Sequence, residues 1–251
     1  MSQYIGDFIP DAHVNGLVIS SFIALICISD SAVKSAVSSN FVVMMQRYIV
    51  FLKNRAVTIY QDINMPENKP DEITIQFTNS AVLEREYKRF YENLDCANLK
   101  IKTDNFDEAC KAFNSLFRII KAAGGIVRNN KNEYLFIKRM DIWDLPKGKL
   151  HKNELIAAGA LREVNEETGL TGLTITKQLP STFHIYTDRK GVEVLKETFW
   201  FIMMCHELQN LIPQVEEDIT EVKWFSDDSL IIPFQNTYAS IRHLLENYIG
   251  Q

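Results

Sequence analysis

Residues 148–170 read GKLHKNELIAAGALREVNEETGL, and this stretch decides the fold. Its composition predicts a helix over about 154–168, which Gly169 ends. Small or apolar side chains form one stripe of this helix, and we expect the stripe to pack on a sheet: Ala157, Ala160, Leu161, Val164 and Thr168. The segment therefore predicts an amphipathic helix with its charges on the other face.

The charged face of the predicted helix is strongly acidic. At about 100° per residue, Glu163 and Glu167 lie about 40° apart, and Glu166 lies about 60° to the other side. Three like charges at these spacings repel one another, and only Arg162 is near enough to compensate. A divalent cation such as Mg²⁺ or Mn²⁺ prefers oxygen ligands and would make the cluster a site. A solvated acidic face is the alternative interpretation.

Two flanking features favour a site. Gly159 lies one turn before Glu163, in a helix interior where glycine costs about 1 kcal/mol relative to alanine, and we expect it to leave room for metal or phosphate. The preceding loop at 145–152 is basic. Its charged residues are Lys147, Lys149, His151 and Lys152. Adjacent basic and acidic clusters fit a polyanionic substrate that arrives with metal, although the lysines could also be ordinary solvated side chains.

The spacing of these residues resembles the Nudix box, Gly-x5-Glu-x7-Arg-Glu-U-x-Glu-Glu-x-Gly-U, in which U is aliphatic. Gly148, Glu154 and the run 162–170 agree with all nine defined positions. The box covers 23 residues, and the strand pattern that follows Gly124 suits the family's domain. The resemblance implies an α+β fold, with the Nudix α/β/α sandwich and its mixed sheet over 122–251.

The resemblance also implies an activity. Nudix hydrolases use water and a divalent metal, Mg²⁺ or Mn²⁺, to cleave a phosphoanhydride in a nucleoside diphosphate linked to another group. Carried over by position, Glu166 and Glu167 would be the main metal ligands. Glu163 would be a further ligand or the base that activates water. Metal neutralises developing charge and acidifies bound water, while a carboxylate accepts the proton.

Other positions of the box imply supporting roles. Arg162 would hold Glu163 in place, Glu154 would support the site from the start of the helix, and the carbonyl of Gly148 would lie near the metal. A later loop often supplies one more carboxylate in such enzymes. The candidates are Glu216, Glu217, Asp218 and Glu221, of which Glu217 is favoured.

The substrate has to be inferred from the flanks of the box. The run 143–149 is similar to subfamilies that act on diadenosine polyphosphates or nucleoside triphosphates, in which Lys147 and Lys149 would contact phosphates. Tyr186 is placed where dinucleoside polyphosphate hydrolases carry a tyrosine that stacks on a base, or it packs as an ordinary strand residue. The absence of proline at 181–189 argues against ADP-ribose.

Three functions follow, in order of preference. The first is hydrolysis of a dinucleoside polyphosphate, the second is removal of non-canonical nucleoside triphosphates, and the third is a non-catalytic nucleotide-sensing module. The 251 residues are 46% hydrophobic and carry a net charge of −5, which argues against a general nucleic-acid binder. Four scattered cysteines fit reduced thiols in a cytoplasm. We expect a small nucleotide substrate, no nucleic acid or membrane partner, and a possible homodimer.

Residues 44–121 lie outside the resemblance and predict a small α+β domain of unknown role. Its predicted elements are strands at 48–53, 56–60, 72–77 and 97–102, and helices at about 80–94 and from about 105–107 onward. The second helix carries apolar residues at helical spacing and is predicted to end at Gly124 and Gly125. The sequence therefore places a domain boundary between 121 and 122.

Residues 1–43 contain an uncharged apolar run at 14–29. Sixteen residues are short for a membrane span, and no basic residue precedes them as a signal peptide requires. A packed helix or strand, an export or anchor segment, and a true translation start at Met44 or Met45 remain the alternatives.

Overall fold

A computed structural model describes residues 46–61 and 69–249. The predictions for 1–43, including the apolar run at 14–29, lie outside these residues. Within the described ranges the chain forms one mixed sheet of eleven strands and five α-helices. None of the helices in these ranges is long and apolar enough to cross a membrane.

The strands are β1 (Gln46–Leu52), β2 (Arg55–Gln61), β3 (Glu72–Gln76), β4 (Asn98–Lys102), β5 (Arg118–Asn129), β6 (Tyr134–Arg139), β7 (Ile142–Asp144), β8 (Lys147–Lys149), β9 (Thr174–Thr187), β10 (Glu193–Cys205) and β11 (Ile219–Phe225). The helices are α1 (Ser80–Glu92), α2 (Phe106–Asn114), α3 (Ile156–Thr168), α4 (Ile231–Gln235) and α5 (Ala239–Tyr248). Neighbouring strands run β11-β6-β5-β10-β9-β1-β2-β4-β3, with β7 beside β6 and β8 beside β5.

The predicted second helix of the N-terminal part is wrong in its extent. Helix α2 ends at Asn114, and the residues expected to continue it form β5, which pairs in parallel with β10 along its whole length. Gly124 and Gly125 lie inside this strand rather than at a helix end. A Cβ at Gly124 would lie 2.4 Å from Cβ of Lys147, and one at Gly125 would lie 2.7 Å from Sδ of Met203. The glycines therefore permit close packing within the sheet.

The predicted boundary between 121 and 122 falls inside β5, not in a linker. Strand β1 also pairs in parallel with β9, from Val50 opposite Phe183 to Leu52 opposite Ile185. The residues on either side of the boundary therefore share one sheet and one compact unit. The predicted strands at 48–53 and 56–60 correspond to β1 and β2, which form a hairpin with a tight turn at Lys53 and Asn54.

Helices cover both faces of the sheet in the C-terminal half. Alternate residues of β10 point to opposite faces, so that Phe201 and Met203 pack with α3 whereas Trp200 packs with α5. Helices α1 and α2 pack on β1, β2 and β4 in a third apolar cluster. The predicted α+β class, with helices on both faces of a mixed sheet, is confirmed.

Helix α3 is oriented differently from the amphipathic pattern. Ala160, Val164 and Thr168 are buried as expected, but Ala157 is exposed. Glu163 and Glu167 are buried instead, with 7% and 1% of their surface exposed. Strand β8 lies against this side of the helix, so the sheet edge covers two carboxylates that the sequence pattern placed on an outer face.

Candidate active site

The loop of the box lies close to its helix where Gly148 faces Glu163. An ideal Cβ on Gly148 would lie only 1.8 Å from Oε2 of Glu163. Any side chain at this position would displace the carboxylate, because atoms this near overlap. Glycine therefore lets the backbone of β8 lie directly against a carboxylate of α3.

Arg162 organises the acidic residues around it through five hydrogen bonds. Its Nε and Nη2 donate to the two oxygens of Glu154 at 2.7 and 2.8 Å. Its Nη1 donates to Oε1 of Glu163 at 2.7 Å and to Oε2 of Glu166 at 2.8 Å. Nη2 also donates to the carbonyl oxygen of Lys149 at 3.1 Å. The planar guanidinium thus fixes three carboxylates and the β8 backbone together.

Glu167 and Lys147 form a second, deeper cluster. The backbone N–H of Lys147 donates to Oε2 of Glu167 at 2.8 Å, and Nζ of Lys147 donates to Oδ2 of Asp144 at 2.5 Å. Burial opposes the charge on Lys147, but Asp144 and Glu167 outweigh it and raise the pKa of the ammonium. Lys147, predicted to contact phosphate, is therefore tied to a carboxylate of its own loop.

The carboxylates of the box differ in their affinity for protons. The hydrogen bonds from Arg162 hold the pKa of Glu154 down to about 2. Burial raises the pKa of Glu163, and Arg162 opposes this rise. Burial also raises the pKa of Glu167 to about 7, against the nearby Lys147. The site thus combines one strongly acidic supporting group with two carboxylates that bind protons more readily than in water.

The described residues hold no group of three His, Cys, Asp or Glu side chains arranged to enclose a metal ion. Nη1 of Arg162 donates to one oxygen of Glu163 and to one oxygen of Glu166. Glu217 lies in a short 3₁₀ turn at 215–217, with Oε2 3.6 Å from Nη1 of Arg139. The ligand roles of these carboxylates stay predictions.

Most predicted site residues meet in one cleft of about 1180 Å³. Those that line it are Lys147, Gly148, Lys149, Arg162, Glu163, Glu166, Tyr186 and Glu217. Glu154 and Glu167 do not line it. Glu154 lies behind the guanidinium of Arg162, and Glu167 is covered by the backbone of Lys147. The acidic and basic clusters of the sequence are therefore brought to the same opening.

The floor of this cleft is a face of the sheet. Phe51 of β1 pairs with His184 of β9, His184 pairs with Lys196 of β10, and Lys196 pairs with Ile120 of β5. All four residues line the cleft. Tyr186 lies two residues after His184 and therefore on the same face of β9. The floor is thus assembled from four strands that are far apart in the sequence.

Two residues of this floor, Lys196 and Thr198, were not predicted from the sequence. Lys196 is largely buried. Within the described ranges no carboxylate is near enough to form an ion pair with it. Burial lowers the pKa of Lys196 to about 8, and the positive charge of Lys147 adds to this effect. Thr198, on the same face, has a buried Oγ1 that makes no hydrogen bond to the described part of the chain. Lys196 and Thr198 belong to a short polar run at 196–198 within a strand that is mostly apolar, and this run was the available signal.

Gly159 has a structural role that differs from the expected one. An ideal Cβ there would lie 2.3 Å from Cδ2 of Leu150 and 3.0 Å from Oε2 of Glu154. Gly159 is itself buried. The glycine therefore makes room for a leucine of the loop, and the prediction that it gives access to metal or phosphate is wrong.

Comparison with known proteins places the chain in a family. The NUDIX domain matches residues 119–248, which is just over half of the chain. The mRNA-decapping enzyme subunit 2 of Saccharomyces cerevisiae is 28% identical over 122 residues, covering 47% of this chain and 12% of that protein. RNA pyrophosphohydrolase of Ruthia magnifica is 29% identical over 100 residues, covering 36% of this chain and 56% of that protein. The chain thus spans less than two thirds of either relative.

Two solved structures are similar at low sequence identity. The MutT protein from Methanosarcina mazei Go1 has a TM-score of 0.41 and 23% identity, covering 52% of this chain and 93% of that one. A binary complex of C. elegans Ap4A hydrolase has a TM-score of 0.40 and 23% identity, covering 51% and 94%. The family match includes all of residues 148–170, the resemblance seen in the sequence is confirmed, and the chain belongs to the Nudix family.

Proposed function

We propose that this protein hydrolyses a phosphoanhydride bond in a nucleoside diphosphate linked to another group, and that a dinucleoside polyphosphate is its favoured substrate. One observation carries the proposal. Glu163 and Glu166 open into the same cleft as Lys149 and Lys196, so carboxylates and cations face one volume. A phosphate chain needs both, because the cations bind its charge while the carboxylates hold metal and activate water.

Divalent metals generally serve Nudix hydrolases, and the residues present fit Mg²⁺ or Mn²⁺. The donor set is made of hard oxygens, and the missing side chain at Gly148 leaves the backbone open beside Oε2 of Glu163. Glu163, Glu166 and Glu167 would hold the ion, with the carbonyl of Gly148 and Glu217 as further donors. When bound, the metal would neutralise phosphate charge and acidify a coordinated water.

The protein's own residues then have distinct tasks. Glu163 is the proposed base, because its burial favours taking up a proton and Arg162 fixes its other oxygen. Arg162 and Glu154 are positioning residues that keep the carboxylate in this orientation. Lys149 and Lys196 bind phosphates, because both lysines line the cleft into which Glu163 and Glu166 open.

A second candidate function is hydrolysis at the 5′ end of an RNA. The named activities of the two relatives favour it, since one is an mRNA-decapping enzyme and the other an RNA pyrophosphohydrolase. The proposal of a small-molecule substrate without nucleic acid therefore has to be tested against RNA. Removal of non-canonical nucleoside triphosphates and silent nucleotide sensing are the remaining alternatives.

A turnover screen of the purified full chain separates these functions. The panel contains dinucleoside polyphosphates, oxidised nucleoside triphosphates, ADP-ribose, inositol pyrophosphates and 5′-triphosphorylated RNA, each with Mg²⁺, Mn²⁺ or a chelator. Two nucleotides as products indicate a dinucleoside substrate, whereas pyrophosphate with a monophosphate indicates a triphosphatase. Binding without turnover of any compound supports the sensing module.

The substitution Glu166→Gln tests the mechanism. Loss of a metal ligand removes several kcal/mol of charge stabilisation, so we expect kcat to fall by about 100-fold or more. Glu166 is exposed, so thermal unfolding should stay near that of the parent. Glu84→Gln, an exposed glutamate of α1, is the matched control and should keep full turnover. Unchanged turnover in Glu166→Gln would contradict the assigned site.

A further inference from the structure

The cleft extends beyond the segment that matches the family. The match begins at residue 119, yet Phe51 and Lys53 line the cleft as well. They belong to the hairpin of β1 and β2, and the parallel pairing of β1 with β9 brings the turn of that hairpin to the far end of β9. An element outside the family's domain therefore forms one wall of the site.

The cleft has a box end, beside Glu163 and Glu166, and a far end, beside the hairpin of β1 and β2. The far end is cationic. Lys53 is exposed, and within the described ranges it has no carboxylate partner. Arg118, Arg189 and Lys190 line the same end. The nearby acid, Asp188, is held by Arg118 at 2.7 Å and by backbone N–H groups. The far end thus offers uncompensated positive charge, in contrast to the glutamates at the near end.

Aromatic surface adjoins these cations. Phe51 is half-buried, lies opposite His184 in the strand register, and has its ring 5.6 Å from that of His243. The ring of Tyr186 lies 5.8 Å from that of His184. Aromatic faces beside free cations suit a base that is attached to phosphate. The cleft volume of about 1180 Å³ also exceeds the ~300–1,000 Å³ usual for a pocket that holds one small ligand.

We propose that the hairpin of β1 and β2 forms a subsite for a second nucleotide, in which Lys53 pairs with a phosphate beyond the cleaved anhydride and Phe51 contacts the base. This inference rests on the proposed function and narrows its substrate to compounds with nucleotide units on both sides of the cleaved bond. The proposed chemistry at the box end is the same, because the hairpin contacts only the second nucleotide of the substrate.

The charge of Lys53 supplies the test. Binding of diadenosine tetraphosphate, of ATP and of 5′-triphosphorylated RNA is measured by calorimetry without divalent metal, so that no turnover occurs. Lys53→Gln should weaken binding of diadenosine tetraphosphate by about 2–5-fold, the usual range for an exposed ion pair. Lys53→Glu should weaken it by about tenfold, because it places like charges together. ATP, which has no second nucleotide, should bind as before.

Controls separate a subsite from a general loss of charge. Lys177→Gln removes an exposed lysine of β9 that does not line the cleft, and it should leave both affinities unchanged. Lys53→Arg keeps the charge and should bind diadenosine tetraphosphate as tightly as the parent does. The difference in affinity between the parent and Lys53→Gln should become smaller as the salt concentration rises. Thermal unfolding of each variant checks that the hairpin is intact.

Four results would overturn the proposal. They are no binding of diadenosine tetraphosphate by the parent, an unchanged affinity in Lys53→Glu, an equal loss for ATP, and a loss seen with 5′-triphosphorylated RNA alone. The last assigns the hairpin to a nucleic-acid strand. Failure of the proposed function is distinguishable, because it would leave the binding difference intact while metal-dependent turnover is absent from every compound.

Discussion

The two ends of the cleft are built on opposite principles. At the box end the charges are paired with one another, and Arg162 alone holds Glu154, Glu163 and Glu166. On the floor and at the far end, Lys196 and Lys53 have no acidic partner among the described residues. One end is therefore fixed before any ligand arrives, whereas the other gains its partners from the ligand.

This difference separates positioning from binding. A carboxylate held by a bidentate arginine keeps its geometry without substrate, which suits chemistry that depends on orientation. A buried cation or hydroxyl without a partner costs stability until an anion satisfies it, which suits recognition of phosphate. Substitutions should therefore affect turnover at the box end, and affinity on the floor and at the far end.

The largest effect on stability is expected at Glu167. Burial raises its pKa from 4.5 to about 7, so between these values the folded protein keeps a proton that the unfolded chain releases. The free energy of unfolding therefore falls as pH rises through this window. Glu167→Gln cannot ionise and should be more stable than the parent by about 3 kcal/mol at pH 8, with little difference below pH 4.5.

Urea denaturation in a chelator at several pH values measures this difference. Added Mg²⁺ should reduce it, because a bound cation would compensate the charge on Glu167 in the parent. The matched variant is Glu154→Gln, for which the sign reverses. Arg162 lowers the pKa of Glu154, so its ionised form stabilises the fold above pH 4.5 and its loss should destabilise. A gain at Glu167 that does not vary with pH would contradict the argument.

The box end could be predicted from sequence because its residues lie close together along the chain. The positions of Gly148, Glu154 and Arg162 are set by one helix and the loop before it. The end of α3 at Gly169, where φ is 78°, is likewise a local signal.

Pairing between strands that are far apart in the sequence could not be predicted from local sequence patterns. The apolar residues before Gly124 fit a helix as well as a strand, and β10, some 75 residues away, decided for the strand. Lys196 reads as an ordinary strand lysine until four strands meet around it. Its burial is a tertiary property, as is the contact between the hairpin and the cleft.

The next largest effect is expected at Arg162. Lysine keeps the charge but offers one point donor, so Arg162→Lys cannot hold Glu154, Glu163 and Glu166 together. We expect kcat to fall by about 10–100-fold, as when the support of a metal ligand is lost. The Mg²⁺ concentration for half-maximal turnover should rise, while KM changes little. Arg85→Lys on α1, an exposed arginine paired with Glu86, should match the parent. A change in KM alone would place Arg162 among the binding residues instead.

The smallest effect is expected from replacing Lys196, and this substitution tests most directly the contrast between the box end and the floor of the cleft. Replacing it with methionine removes the floor's unpaired cation but keeps an unbranched side chain of similar length. We expect affinity for diadenosine tetraphosphate to fall about tenfold, the scale of one hydrogen bond to a charged group. Because burial lowers the pKa of Lys196 to about 8, affinity in the parent should decline as pH rises through 8 and stay flat in the variant.

Although Lys196→Met should bind more weakly, its folded state should be more stable than that of the parent. The buried charge disfavours the folded state, so the variant should unfold at a higher temperature than the parent at pH 7. Lys177→Met, which changes an exposed lysine of β9, should alter neither quantity. Weaker binding joined to greater stability is the signature of a group kept for its ligand. Loss of both together would mean that Lys196 supports the fold, and the contrast between the two parts of the cleft would no longer hold.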